Sequence, residues 1–310
     1  MRRGFAVALF VVWTAVGPGI ANSCPICPYP SRGTKIFEPK QNALIAWNGK
    51  REILSLALSM KASEPVEVLR VLPFPSEPKI GKSNPALFDK AVNILNGNLM
   101  SVDRLFSRDS VSAKLEQFVS LAAGGFDSPP PGVVTFHERI GVHDITTVKL
   151  MNVTGFTDWV EKYFLSKGFK ETVISDTVKS VINDYIKEGM AWFVFDAVSI
   201  EKNTKQIEIL QYAFDTDSLY YPLKIAKTVE GETDINLIVI TPNLLSQFSG
   251  IGPGEIKLCN PPMGLDKEGA RTIDASFDNL FNLGFKETVE VRIWNLTGEA
   301  RKFEKDLLAK

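Results

Sequence analysis

The tightest constraint on this chain is a dipeptide. Asn48-Gly49 separates two stretches of alternating polarity, and Asn-Gly fits the two-residue turn whose twist matches antiparallel strands. Asn42 to Trp47 and Glu52 to Lys61 are therefore predicted as a hairpin. On the return strand Leu54, Leu56, Leu58 and Met60 point one way, with Ser55, Ala57 and Ser59 the other. Val66 to Leu72 reads as a third strand ended by Pro73-Phe74-Pro75, which completes an antiparallel meander with one buried face.

Helical spacing follows. Asn84-Pro85 supplies a cap and a first-turn proline for Leu87, Phe88, Ala91, Val92 and Leu95. A second helix is expected over Ser112 to Ala123, then a rigid proline loop from Ser128 to Gly132 that marks an internal boundary. Val133 to Met151 returns to strand character around Gly141. Thr154 to Ser166 forms an amphipathic helix, and Ser175 caps another carrying Val178, Val181, Ile182 and Tyr185. Strands are expected at Trp192 to Glu201, Lys205 to Tyr212, Tyr221 to Ala226, Ile235 to Thr241 and Val289 to Asn295. Strands and helices come in runs, so the fold class is α+β, with antiparallel sheets and helices packed on them in one domain or two packed subdomains. The organisation reads as 1–23 leader, 24–40 proline-rich tail, 41–127 meander plus helices, 133–300 second α+β part and 301–310 charged tail.

The leader sets the expected compartment. Arg2 and Arg3 precede an apolar run from Phe5 to Val16, Gly17-Pro18-Gly19 ends it, and Ala21 and Ser23 have the spacing of a cleavage site before Cys24. This is the pattern of a cleaved secretory signal, and the run is too short for a membrane span of about 20 apolar residues. Either the general secretory or the twin-arginine route accommodates it. Cleavage leaves 287 of the 310 residues with 33 basic and 36 acidic side chains. That mild negative balance argues against nucleic acid as a partner.

Cys24, Cys27 and Cys259 make an odd set in an oxidising compartment. One reading bridges Cys24 or Cys27 to Cys259, pinning the tail to the Leu258-Cys259-Asn260-Pro261-Pro262 loop. Another acylates Cys24, the one route by which the protein would meet a membrane. A third makes Cys24 and Cys27 a redox pair, although they are not placed at a helix start that would activate a thiol.

Chemistry-bearing motifs are sparse. His137 and His143 are the only histidines, with Glu138 and Asp144 beside them; on one continuous strand a spacing of six would put both on one face. They are the candidate metal or hydrolytic pair, without an evident third ligand. Gly250-Ile251-Gly252-Pro253-Gly254 lacks dinucleotide-binding spacing and reads as a turn. Asp196, Asp215 and Asp217 form no calcium-loop pattern. Phe74, Trp159, Trp192, Tyr220 and Tyr221 read as core before they read as a binding platform. No cofactor is called for.

Several strings carry a family resemblance: Asn42-Ala43-Leu44-Ile45, Val71-Leu72-Pro73-Phe74-Pro75-Ser76-Glu77-Pro78, Gly141-Val142-His143-Asp144, Lys167-Gly168-Phe169, Ala191-Trp192-Phe193 and Tyr221-Pro222-Leu223-Lys224-Ile225. In this order they resemble an uncharacterised exported family, domain of unknown function 2330, over roughly Glu38 to Pro242. The resemblance implies a signal peptide and cysteines near the mature start, and it implies no activity or catalytic residue. The expected function is a non-enzymatic binding or structural component of the cell envelope or extracellular space, with an envelope protein as partner at the Pro73-Phe74-Pro75 turn. The alternative is an extracytoplasmic hydrolase or metal-dependent enzyme built on His137 and His143.

Overall fold

The computed structural model describes residues 26–27, 36–37, 40–58, 61–62, 66–96, 133–166, 174–200, 209–228, 231–252, 254–284 and 286–310. The leader, the Ser112 to Ala123 helix and the Ser128 to Gly132 loop lie outside them.

In chain order the first strands are β1 (Ile26–Cys27), β2 (Ile36–Phe37), β3 (Gln41–Trp47), β4 (Arg51–Leu58), β5 (Lys61–Ala62), β6 (Val66–Phe74) and β7 (Lys79–Lys82). Helix α1 (Leu87–Asn96) follows, then β8 (Val133–Ile140), β9 (His143–Lys149), α2 (Val153–Ser166), α3 (Asp176–Lys187) and β10 (Trp192–Ile200). The remainder holds β11 (Leu210–Asp215), β12 (Leu219–Tyr221), β13 (Glu232–Thr241), β14 (Ile256–Leu258), β15 (Met263–Asp266), α4 (Lys267–Ile273), α5 (Ser276–Phe281), β16 (Thr288–Glu299) and β17 (Leu307–Ala309). Among the described residues, 3-10 turns at Lys224–Thr228 and Ala300–Lys302 follow β12 and β16.

Two large sheets result, in the order β1-β6-β10-β9-β8 and β14-β16-β13-β3-β4-β11-β7, with β15 also on β16. The first sheet is antiparallel throughout, and the second has one parallel pair, β13 with β3. Sheets of this kind with helices on them make the α+β class. Both sheets take strands from each side of residues 128–132.

The sheets share one apolar layer, where Leu72, Phe74, Ile145 and Val194 from the first meet Leu54, Leu56, Tyr212 and Leu237 from the second. The outer face of the second sheet, with Leu44, Ala46, Ile238 and Ile293, is covered by Phe88, Ala270 and Phe277 of α1, α4 and α5. On the first sheet's outer face, Leu69, Val71, Phe193 and Phe195 lie under α2 and α3. The order is helix, sheet, sheet, helix, which buries both faces of the central strands. That overturns the one-faced meander. The β3–β4 hairpin forms as expected, but all seven residues of β3 are buried, and β6 leaves the hairpin to pair with β10. Residues on both sides of β6 are apolar, which suits a central strand covered on two faces.

Polar ladders fix the pairing. Asn236 Nδ2 donates to Asn42 Oδ1 at 3.0 Å across the parallel pair, and Asn295 Nδ2 donates to Asn236 Oδ1 at 2.9 Å. The three asparagines face one another in the register. A slip by one residue would strand these amides in an apolar layer.

Three other expectations change. The Pro73-Phe74-Pro75 segment is not an exposed partner-binding turn: Phe74 ends β6 with no exposure and packs on Tyr212 and Phe214. The Tyr221 to Ala226 strand is the end of β12 followed by a 3-10 turn, because Pro222 has no amide to continue a ladder. The charged tail is built in: Phe303, Asp306, Leu307 and Ala309 are buried and β17 pairs with β12.

The hairpin turn offers a clean test. Gly49 sits at φ 95° with no atom within 4 Å of an added Cβ, so Gly49→Ala probes backbone strain alone. Urea unfolding should show a loss of about 1–2 kcal/mol with an unchanged slope.

Candidate functional site

The two histidines part company. A turn at Gly141, φ 60°, converts the expected continuous strand into the β8–β9 hairpin, with Ile140 opposite His143 and His137 opposite Thr146. In that register they lie on opposite faces. His137 is exposed, its Nε2 2.8 Å from Asp144 Oδ1. His143 is fully buried between the sheets, its Nδ1 2.8 and 3.0 Å from the two oxygens of Asp196. The spacing of six therefore does not bring the imidazoles together. Among the described residues no group of three or more His, Cys, Asp or Glu side chains is placed to hold a metal ion.

What the structure builds around His143 is a buried charge cluster. Arg70 on β6 stands directly opposite Asp196 on β10, and its Nη1 donates to Asp196 Oδ2 at 2.7 Å with both side chains fully buried. Burial pushes the Asp196 carboxyl up, but His143 and Arg70 outweigh it and hold the group below its usual range. With Asp196 ionised, His143 Nδ1 carries the shared proton. His143 Nε2 has no hydrogen-bond partner among the described residues.

Glu52, on the second sheet, is the other carboxyl of this layer. It is fully buried, and its Oε2 accepts the Tyr220 amide at 2.7 Å. Burial raises its pKa well above the usual value against that one hydrogen bond.

Cys259 is half-buried, and its Sγ lies 3.4 Å from the Lys257 carbonyl, to which the thiol donates. Burial pushes its pKa up, which makes it a poor nucleophile. Cys24 and the side chain of Cys27 lie outside the described residues, so the bridge and the redox pair have no geometry here. Gly252 sits in a turn, its amide donating to Glu255 Oε2 at 3.0 Å. Phe74, Trp159, Tyr220 and Tyr221 are core residues as expected. Asp196 is in the inter-sheet layer, while Asp215 ends β11 near Arg51 at 4.0 Å.

Unlike these groups, one cleft gathers charge at the surface. About 410 Å³ in volume, it lies between α3 with its C-cap, which contribute Asp176, Ser180, Asp184 and Glu188, the turn after β12, which contributes Lys224 and Lys227, and Glu304. The Ser175 hydroxyl accepts the Val178 amide and caps α3 at its rim, as the sequence predicts. Lys224 Nζ reaches Glu188 Oε2 at 2.6 Å and lies 4.0 Å from the centre of the Tyr185 ring. Lys227 Nζ reaches Glu304 Oε2 at 2.5 Å. Below them Asp306 Oδ1 accepts the Tyr185 hydroxyl and the Lys224 amide, each at 2.7 Å. Burial drives the Asp306 carboxyl up to about 6 even against those bonds. A cleft with paired charges on its walls and a perturbed carboxyl beneath is the arrangement expected of a binding site.

Of the buried charge cluster the sequence singled out His143 and Asp196, and of the cleft it marked the Ser175 cap. Arg70 carried a usable signal, being a charge on the same side of its strand as Leu72 and Phe74. Asp306 and Lys224 carried none, since a basic and acidic run ordinarily reads as solvated surface.

Residues 20–247 match the model of a family described as an uncharacterised protein conserved in bacteria, domain of unknown function 2330. The chain belongs to that family. No curated protein and no solved structure matches it.

The two ionic clusters should respond differently to truncation. Arg70→Leu leaves Asp196 buried with His143 alone and should cost about 3–5 kcal/mol in denaturant unfolding. His137→Ala, at an exposed pair, should cost less than about 1 kcal/mol.

Proposed function

We propose that this member of an uncharacterised bacterial family is exported, sheds Met1 to Ser23, and acts as a binding or structural component of the cell envelope or extracellular space. The observation that carries the reading is the cleft between α3 and the 3-10 turns. Its walls offer hydrogen-bond donors and acceptors of both charges, fixed by Lys224–Glu188 and Lys227–Glu304 pairs and exposed to solvent at Ser180 and Asp184. Such a lining suits a polar ligand or a charged segment of an envelope protein, since paired charges can exchange partners on docking. The leader supports export through its charged start, apolar run and small residues before Cys24. Cys24 is then left either for acylation or for a bridge with Cys27 or Cys259.

Two measurements test this reading. Intact mass of the protein made with its own leader in a bacterial host should give a chain beginning at Cys24, and full-length protein in the cytoplasm contradicts export. A photocrosslinking residue at Ser180 of the exported protein should capture a partner that the same residue at Glu268, exposed on α4, does not capture. Equal capture at both positions, or none at Ser180, contradicts the cleft as the binding surface.

A further inference from the structure

The charge pattern of the cleft narrows what it can hold. Asp176, Ser180 and Asp184 recur every four residues along α3, and Glu188 at its C-cap continues the row. Residues four apart stack on one side of a helix, which sets Asp176 and Asp184 about 12 Å apart along the axis. Lys224, Lys227 and Glu304 line the cleft with them. The lining therefore carries four carboxylates, Asp176, Asp184, Glu188 and Glu304, against two ammonium groups. A phosphate or an anionic headgroup would meet that excess of negative charge, and a cation would be drawn to it.

Both lysines are already engaged, Lys224 by Glu188 at 2.6 Å and Lys227 by Glu304 at 2.5 Å. The charge left over is on α3. Asp176 lies 3.7 Å from Lys179, but both side chains are exposed and water screens the pair. Asp184 is exposed and has no ion-pair or side-chain hydrogen-bond partner among the described residues. It also stands in the last turn of α3, where the helix dipole disfavours a negative side chain. A carboxylate so placed costs the helix stability, and a cation from outside the chain would offset that cost. Beside Lys224, Asp306 is only 7% exposed, and the Tyr185 hydroxyl and Lys224 amide both donate to its Oδ1, so Oδ2 keeps capacity to accept.

The spacing decides between kinds of cation. Among the described residues no three His, Cys, Asp or Glu side chains converge to hold a metal ion, so the row does not suit a point charge. It suits charges spread along a line. In an extended chain, side chains four residues apart lie on one side and about 13 Å apart, which matches the separation of Asp176 and Asp184. We propose that the partner of the cleft is a basic protein segment, extended along α3, whose lysine or arginine side chains pair with Asp176 and Asp184. Ser180, between them, offers its hydroxyl to the main chain of that segment. The inference rests on the cleft being the binding surface and names the charge and conformation of what it binds.

Fluorescence anisotropy on the full chain tests it, with one labelled peptide alternating lysine and serine and another alternating glutamate and serine. At low salt the lysine peptide should bind and the glutamate peptide should not. Asp184→Asn should weaken the lysine peptide by about threefold to fivefold, the effect of losing one partly exposed ion pair, while Glu268→Gln, on α4, leaves it unchanged. The Asp184→Asn variant should unfold in urea at an equal or higher midpoint, and a lower one contradicts an unpartnered Asp184. Equal binding of the two peptides, or equal weakening by the two variants, overturns the proposal. So does calcium chloride binding at one ion per chain that Asp184→Asn abolishes. The segment crosslinked at Ser180 separates this inference from the reading it rests on. An acidic or uncharged segment there overturns the basic partner and leaves the cleft standing, whereas no crosslink at Ser180 removes both.

Discussion

The carboxylate of Asp196, held in the dry layer between two sheets, is the interaction on which the architecture turns. It accepts from Arg70 on one neighbouring strand and from His143 on the other, and so ties β6, β10 and β9 together at one level. Burying such a cluster is expensive, and apolar residues of similar volume would stabilise the layer as well or better. Its effect is to exclude alternatives. Moving β6 by one residue would swing Arg70 to the helix-covered face and leave Asp196 without its guanidinium partner. The asparagine ladder through Asn42, Asn236 and Asn295 does the same in the second sheet, at the one place where strands run parallel.

Around those fixed registers, β12, the 3-10 turns and β17 join the rest of the molecule through both apolar and polar contacts. Leu219, Tyr221, Phe303 and Leu307 lie in the inter-sheet core, while Glu52 accepts the Tyr220 amide, Asp306 accepts the Tyr185 hydroxyl and the Lys224 amide, and the Tyr220 hydroxyl donates to Pro73.

Local signals were legible in the sequence and long-range ones were not. Asn48-Gly49 marked its hairpin locally, although Trp47 pairs with Glu52, so the turn spans Asn48 to Arg51, with Gly49 at positive φ and Asn48 Oδ1 accepting the Lys50 and Arg51 amides. Ser175 marked the start of α3 because a cap is satisfied within one turn. The destination of β6 was hidden, since its partner β10 lies more than a hundred positions on and its alternation fits an antiparallel neighbour on either sheet. Residues 301–310 looked like solvated surface because charge run and burial are read from composition, while Asp306 is buried by elements far away in the chain. For the histidines a period-two argument failed once a two-residue turn intervened: Gly141 at positive φ reverses the chain and separates them onto two faces.

That separation bears directly on the paired-imidazole reading of this chain. A paired-imidazole enzyme needs both rings in one pocket, whereas here one ring lies at the surface beside Asp144 and the other is fixed to Asp196 in the interior. Having only two histidines makes the question directly measurable by nitrogen-15 NMR of histidine-labelled protein. One imidazole should hold its Nδ1 proton in slow exchange with water, as a ring sealed between the sheets must, and the other should exchange rapidly. Two rings that exchange alike would contradict the buried cluster, and with it the register of the first sheet.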